Sequence, residues 1–302
     1  MTTGLTAEQA RVRAQAQAEG RKAHRRHVWM VVLGRILIYG LILVGSAVYI
    51  FPFLFMLSTS LKLLKQIYVW PPQMIPNPFT LDNYIKGWSV LPTTTFYKNT
   101  IFITTLNIVG TVLSSTLVAY GFARLRFPGR NVLFVVLLAT MMLPGQVTMI
   151  PLYIGFAQLH WVGTFKPLIV PAFFANAFNV FLLRQFLMTI PRELDDAAKI
   201  DGCGYIRTLV SIILPLMLPA MGVVAIFTFT GSWNDFMGPL IYLRNTEQFT
   251  VALGLRYFQQ QTDQHIGRLM AMAIVALLPQ IVVFFFAQKQ MVQGVTLTGI
   301  KG

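Results

Sequence analysis

Six apolar segments, each about as long as a bilayer is thick, constrain this chain more than any other feature of its 302 residues. A hydrocarbon core about 30 Å deep takes about 20 helical residues to cross. Segments of that kind run over Ile36–Leu57, Asn99–Phe122, Val132–Leu159, Pro167–Met188, Thr208–Trp233 and Leu269–Gln288. In lipid every backbone N–H and C=O must be paired within the chain, which makes such spans helices. The expectation is an all-α polytopic membrane protein with six transmembrane helices. Val132–Leu159 is the longest and carries Pro144 and Pro151, which predicts a kink or break inside it.

Composition agrees. The chain is 55% hydrophobic and 11% charged, against about 25% charged in soluble domains. Lys and Arg number 24 against 10 Asp and Glu, a net charge of +14. No basic block is interleaved with base-stacking aromatics, so this excess reads as topology and not as nucleic-acid binding. Sixteen of the 24 fall on one side of the six spans: in the N-terminal arm, at 124–130, between Arg184 and Arg207, and at Lys289 and Lys301. The richer side is the cytosolic one, which puts both termini inside. The first span follows an arm at 1–35, unlike the short basic region of a cleavable signal, and reads as a retained signal-anchor. Within the arm, Thr6 and Gln9 resemble a capping box opening a helix that reaches Arg26. Cys203 is the single cysteine, so an internal disulfide and a cysteine metal cage are excluded.

The spans lack the usual machinery of a self-powered transporter. Apart from Arg184, counted with the loop after the fourth span, no Asp, Glu, Lys, Arg or His lies in the six segments. Proton-driven carriers and voltage sensors place ionisable groups there. HExxH, Walker A and GxSxG patterns are also missing from the sequence. Neutral polar residues do occur, among them Asn107, Gln146, Asn176, Asn179, Thr228, Thr230 and Gln280. Such groups line a path for a hydroxyl-rich solute or, more commonly, bond one helix to another.

The loop between the fourth and fifth spans is charged and ordered in pattern. Pro191 suits the first turn of a helix, and Glu193, Asp195 and Asp196 follow where the helix dipole favours acids. Leu194, Ala197, Ala198 and Asp201 fall on one face, and two alanines let another surface approach that face closely. Gly202 supplies the left-handed stop, and a second helix starts near Tyr205, bent further on by Pro215 and Pro219. On these residues alone, a docking element and an ordinary connector fit equally well.

The spacing goes further. Asp196-Ala197-Ala198, Gly202, then Ile212-x-Leu214-Pro215 resembles the motif of the membrane subunits of ATP-binding-cassette importers, with Asp196 where the family has Glu. Glu193-Leu194, Ile200-Asp201-Gly202, Thr80-Leu81-Asp82-Asn83-Tyr84, Phe229–Phe236, Gly294-Val295-Thr296 and Gly299–Gly302 are similar to the carbohydrate-uptake branch, and most to the smaller permease subunit of maltose-type transporters. The resemblance implies a non-catalytic permease in the bacterial inner membrane. Its domains would be a cytosolic arm (1–35), a first span with outer loop (36–98), a permease core (99–290) and a cytosolic tail (291–302). It implies a second permease subunit, two ATPase subunits that use ATP and Mg, and an extracytoplasmic sugar-binding protein, with no cofactor on this chain. It assigns ATPase coupling to Glu193, Asp196, Ala197, Ala198, Asp201 and Gly202 within the 193–204 loop. Sugar contacts do not carry over, and another polar solute, such as a polyol or glycerol phosphate, stays open beside a sugar.

Overall fold

A computed structural model describes residues 7–261 and 265–299. Thr6 of the capping box, and Ile300, Lys301 and Gly302 of the tail signature, lie outside them. The described residues form helices and turns, with no strand among them. Two compact units divide between Ser58 and Thr59. The first is helical, formed by α1 (Ala7–Ser60), which continues for two residues past that boundary.

The second unit opens with the short α2 (Leu64–Ile67) and α3 (Asp82–Val90). The long α4 (Thr93–Arg124) is followed by α5 (Arg130–Ala139) and α6 (Gly145–Gln158). Next come α7 (Lys166–Ile169) and α8 (Ala177–Thr189), then α9 (Glu193–Ile200) and α10 (Tyr205–Thr208). The chain ends with α11 (Leu214–Trp233), α12 (Met237–Tyr242), α13 (Val251–Gln261) and α14 (Ile266–Gly299).

Five stretches are long and apolar enough to cross a membrane: Trp29–Ser60, Thr93–Arg124, Lys166–Thr189, Tyr205–Trp233 and Ile266–Gln288. The expected third span is a broken pair, Arg130–Met142 and Gly145–Gln158, bent by 99°. The break falls at Leu143, which is extended (φ −81, ψ 116) because Pro144 disfavours helical backbone before it. Pro151 lies inside α6 without ending it. The expected bend at the start of the fifth span is prefaced by a π-helical turn at Leu209–Ile213, where the Leu214 N–H reaches Leu209 O just before Pro215.

Helix α4 is the hub, packed against α8, α11 and the 3₁₀ turn Val170–Phe174, while α11 also meets α14. Small residues allow the close approach: a Cβ on Gly110 would strike the Phe173 ring. At the same crossing the Ser114 hydroxyl donates to Ala172 O (3.0 Å) and accepts from Ala175 N (3.1 Å). Beyond it lies an apolar cluster that includes Ala119, Leu183, Leu187, Ile213 and Met217, all buried. In lipid such packing is held by van der Waals contact and interhelical hydrogen bonds instead of by removal from water.

The segments at 59–84 and 245–251 are tied down too. Asn83 donates from its amide to Ser60 O (2.9 Å) and Lys62 O (2.8 Å), and the Tyr84 and Ser60 hydroxyls share a hydrogen bond (2.8 Å). The Thr80–Tyr84 signature is thus a clasp over the chain at Ser60–Lys62. After α12, Asn99 donates to Glu247 O and Phe249 O, and Thr100 accepts from Val251 N at 2.8 Å. The loop after the fifth span is therefore fastened to the start of α4 and is more than a solvated connector.

Candidate coupling site

The loop after α8 folds into a short, sealed helix. Arg192 caps α9, and its carbonyl accepts from Asp195 N (2.9 Å) and Asp196 N (3.2 Å). Pro191 therefore precedes the helix instead of occupying its first turn. The acidic first turn, Glu193, Asp195 and Asp196, faces the positive end of the dipole as expected. At the other end Gly202 has φ +76. Its N–H reaches Lys199 O (3.0 Å), and Cys203 N–H reaches Ala198 O (2.8 Å). This pair of bonds is a Schellman closure, which consumes carbonyls that a helix end otherwise leaves bare. A Cβ on Gly202 would meet nothing within 4 Å, so backbone conformation alone requires the glycine.

Three contacts pin this helix to the end of α4. Arg124 Nε meets Asp195 Oδ2 at 3.4 Å, with the side chains only 5% and 14% exposed. Those two atoms are an ion pair without hydrogen-bond geometry, since neither has a hydrogen-bond partner. Arg124 donates from its other arm to Ile190 O (2.8 Å), and Arg192 donates to Ala123 O (3.4 Å). Nearby, the Tyr120 hydroxyl donates to Tyr205 O at 3.3 Å.

The coupling residues divide by burial. Glu193, Asp196, Ala197, Asp201 and Gly202 are exposed. Ala198 is 1% exposed, so it faces this chain's own bundle. The expectation that both alanines share an open face is corrected: Ala197 is on the surface and Ala198 is in the seat. Ile200 and Ile206, 86% and 79% exposed, were not singled out from sequence, nor was the half-exposed Tyr205. Their signal was present: several large apolar residues gathered in one charged loop are a pattern that interaction sites show.

The neutral polar residues do not form one group. Asn107 donates to the Ser232 hydroxyl (3.0 Å), which also shares a hydrogen bond with Thr104 (3.2 Å), joining α4 to α11. Gln280 donates to the Asn234 side chain at 2.5 Å. Asn176 caps α8 through Phe178 N and Asn179 N, Asn179 is buried, and Thr228 bonds back to Val224 O. Gln146 and Thr230 are exposed. Of the seven, Asn107 and Gln280 thus bond one element to another, and Ser232 and Asn234 are partners the sequence had not paired with them.

One candidate span does contain a charge besides the lysine at its start. Arg184 lies within Lys166–Thr189, stacked over the Phe134 ring at 4.1 Å. At the C-terminal end of α11 the Trp233 indole donates to Ala276 O (3.1 Å) and stacks on Phe229. Asp235 accepts from Gly238 N (3.0 Å). Burial pushes its carboxyl above the usual range, against the opposing pull of the Gly238 and Met237 N–H groups.

Helices long and apolar enough to cross a membrane, packed around α4, define the class of polytopic membrane proteins. Residues 112–297 match the family described as binding-protein-dependent transport system inner membrane component, and the chain belongs to it. The family consists of non-catalytic inner-membrane permease subunits. The arabinooligosaccharides transport system permease protein AraQ of Bacillus subtilis is 34% identical over 262 residues, covering 85% of this chain and 92% of AraQ. The polygalacturonan/rhamnogalacturonan permease YtcP and the maltodextrin permease MdxG of that organism are 30% and 33% identical, over 88% and 74% of this chain and 97% and 81% of their own. A bacterial transporter importing the acidic polysaccharide alginate shares the fold, with a TM-score of 0.76 at 21% identity, over 84% of this chain and 95% of its own.

Proposed function

We propose that this chain is one of two permease subunits in an ATP-driven, binding-protein-dependent importer of oligosaccharides, and that α9 docks on a separate ATPase. The observation that carries this reading is the construction of α9. It is pinned at its base by Arg124–Asp195, closed at its end by the Schellman bonds, and exposes Glu193, Asp196, Ala197 and Ile200. An ordinary connector gains nothing from being anchored and closed while large apolar side chains stay exposed in the same loop. A coupling element needs both, because rigidity transmits movement and exposed Ile200, Tyr205 and Ile206 can fill a partner's pockets.

In this reading the bent pair counts as one of six spans, the basic side is cytosolic, both termini lie there, and α9 joins the fourth and fifth spans. A second permease completes the path, two ATPase subunits hold ATP and Mg, and a sugar-binding protein delivers cargo from outside. This chain binds no nucleotide or cofactor of its own. That AraQ, YtcP and MdxG are arabinooligosaccharide, polygalacturonan/rhamnogalacturonan and maltodextrin permeases supports an oligosaccharide as cargo.

Reconstitution tests the reading. Liposomes holding both permeases and the ATPase, supplied with binding protein, take up labelled oligosaccharide only with ATP, and this chain alone passes none. ATP-independent flux through this chain alone overturns the proposal, and uptake of glycerol phosphate but no oligosaccharide overturns the substrate class.

A further inference from the structure

Beside the root of α9 is a basic cavity of about 530 Å³. Its arginines come from three places in the chain: Arg126 from the turn after α4, Arg130 from the first turn of α5, and Arg192 from the cap of α9. Arginines that only set topology have no reason to converge. Three like charges around one space set up a positive field that attracts an anion. Among the described residues none of the three forms an ion pair with a carboxylate. Arg130 donates to Leu125 O (3.1 Å) and Arg192 to Ala123 O, which leaves further N–H groups on each guanidinium.

The remaining walls show which anion fits. Phe127 and Val132 line the same cavity. From Val132 an apolar surface continues along α5 through exposed Leu133, Val135 and Val136. A soluble phosphate has no use for that surface, whereas the acyl chain of a phospholipid does. Arginine forks suit a phosphodiester geometrically and electrostatically, and basic pockets at membrane ends are suited to anionic headgroups.

We propose that the cavity formed by Arg126, Arg130 and Arg192 binds the phosphate headgroup of an anionic phospholipid, with its acyl chains laid along α5. The proposal rests on the membrane-spanning reading and is independent of ATPase docking, since binding is read on this chain alone. Through Arg192, which caps α9, the lipid would also brace that helix.

The test is native mass spectrometry of the full chain in detergent, titrated with phosphatidylglycerol or phosphatidylcholine. Wild type retains phosphatidylglycerol in preference to phosphatidylcholine. Each arginine lost weakens retention about fivefold, so Arg126→Gln alone lowers it about fivefold and the triple change to Gln lowers it about a hundredfold. Arg126 makes none of the hydrogen bonds described above, so its single variant keeps the fold and answers the question even if the triple variant does not. Lys199→Gln, of equal charge change, leaves retention as in wild type. Equal retention of both lipids, or wild-type retention in Arg126→Gln, overturns the site. Displacement of the lipid by millimolar inorganic phosphate overturns the lipid as its occupant.

Discussion

Arg124, the last residue of α4, and Asp195, in the first turn of α9, meet at 3.4 Å with both side chains largely buried. Through this pair the long central helix of the bundle holds the exposed acidic helix. Removing one partner leaves the other charge buried and unpaired, which costs about 3 kcal/mol. Asp195→Asn is therefore expected to loosen α9 without unfolding the bundle. Hydrogen exchange of the amides at 195–203 should accelerate at least tenfold while α4 stays protected; unchanged exchange would show that the pair does not hold the helix.

Ala197 and Ala198 are expected to respond in opposite ways. Ala198 is enclosed by its own chain, so Ala198→Trp overpacks the seat, at a cost of about 1–3 kcal/mol. Thermal stability of the isolated permease should fall. Ala197→Trp is on the surface, so stability should hold while co-purification with the ATPase weakens. Equal thermal shifts in the two variants would contradict the division between seat and docking face.

Gly202 sits at φ +76 with open space around the missing Cβ. The cost of a side chain there is conformational only, about 1–2 kcal/mol. Gly202→Asn should be milder than Gly202→Ala, and Gly202→Val the most severe, because Asn tolerates left-handed backbone and β-branched residues do not. Transport activity should follow that order. Equal activity in all three would mean the Schellman closure is dispensable.

Asp235 gives a pH dependence. Its folded carboxyl is held above its ordinary value of 3.8, mainly by burial. The folded chain therefore binds more protons than the unfolded chain between those two values, and this contribution to stability falls as pH rises through that window. Asp235→Asn should flatten this fall while keeping an acceptor for Gly238 N. Melting temperatures across the acid range measure it, and an identical pH slope in the variant would refute the assignment.

Much of this was legible in the sequence because membrane spans are set by length and apolarity, which a single chain displays. The break at Pro144 and the terminating Gly202 were legible for a similar reason: each follows from the local backbone rules of one residue. What the sequence hid depends on contacts across the chain. Nothing local distinguishes Ala198 from Ala197, because which one is buried depends on how the helix is held against the end of α4. The partners of Asn107 and Gln280, Ser232 and Asn234, are 125 and 46 residues away. Arg184 reads as part of a loop until the Phe134 ring beneath it is known.

The central claim is that α9 transmits the state of an ATPase to the spans. The direct measurement is solute-stimulated ATPase turnover and uptake in the reconstituted complex carrying Gly202→Pro. Proline removes the Gly202 N–H that bonds Lys199 O and cannot adopt φ +76. The account predicts normal membrane insertion and basal hydrolysis, with uptake and solute stimulation lost. Uptake and stimulated turnover equal to wild type would contradict it.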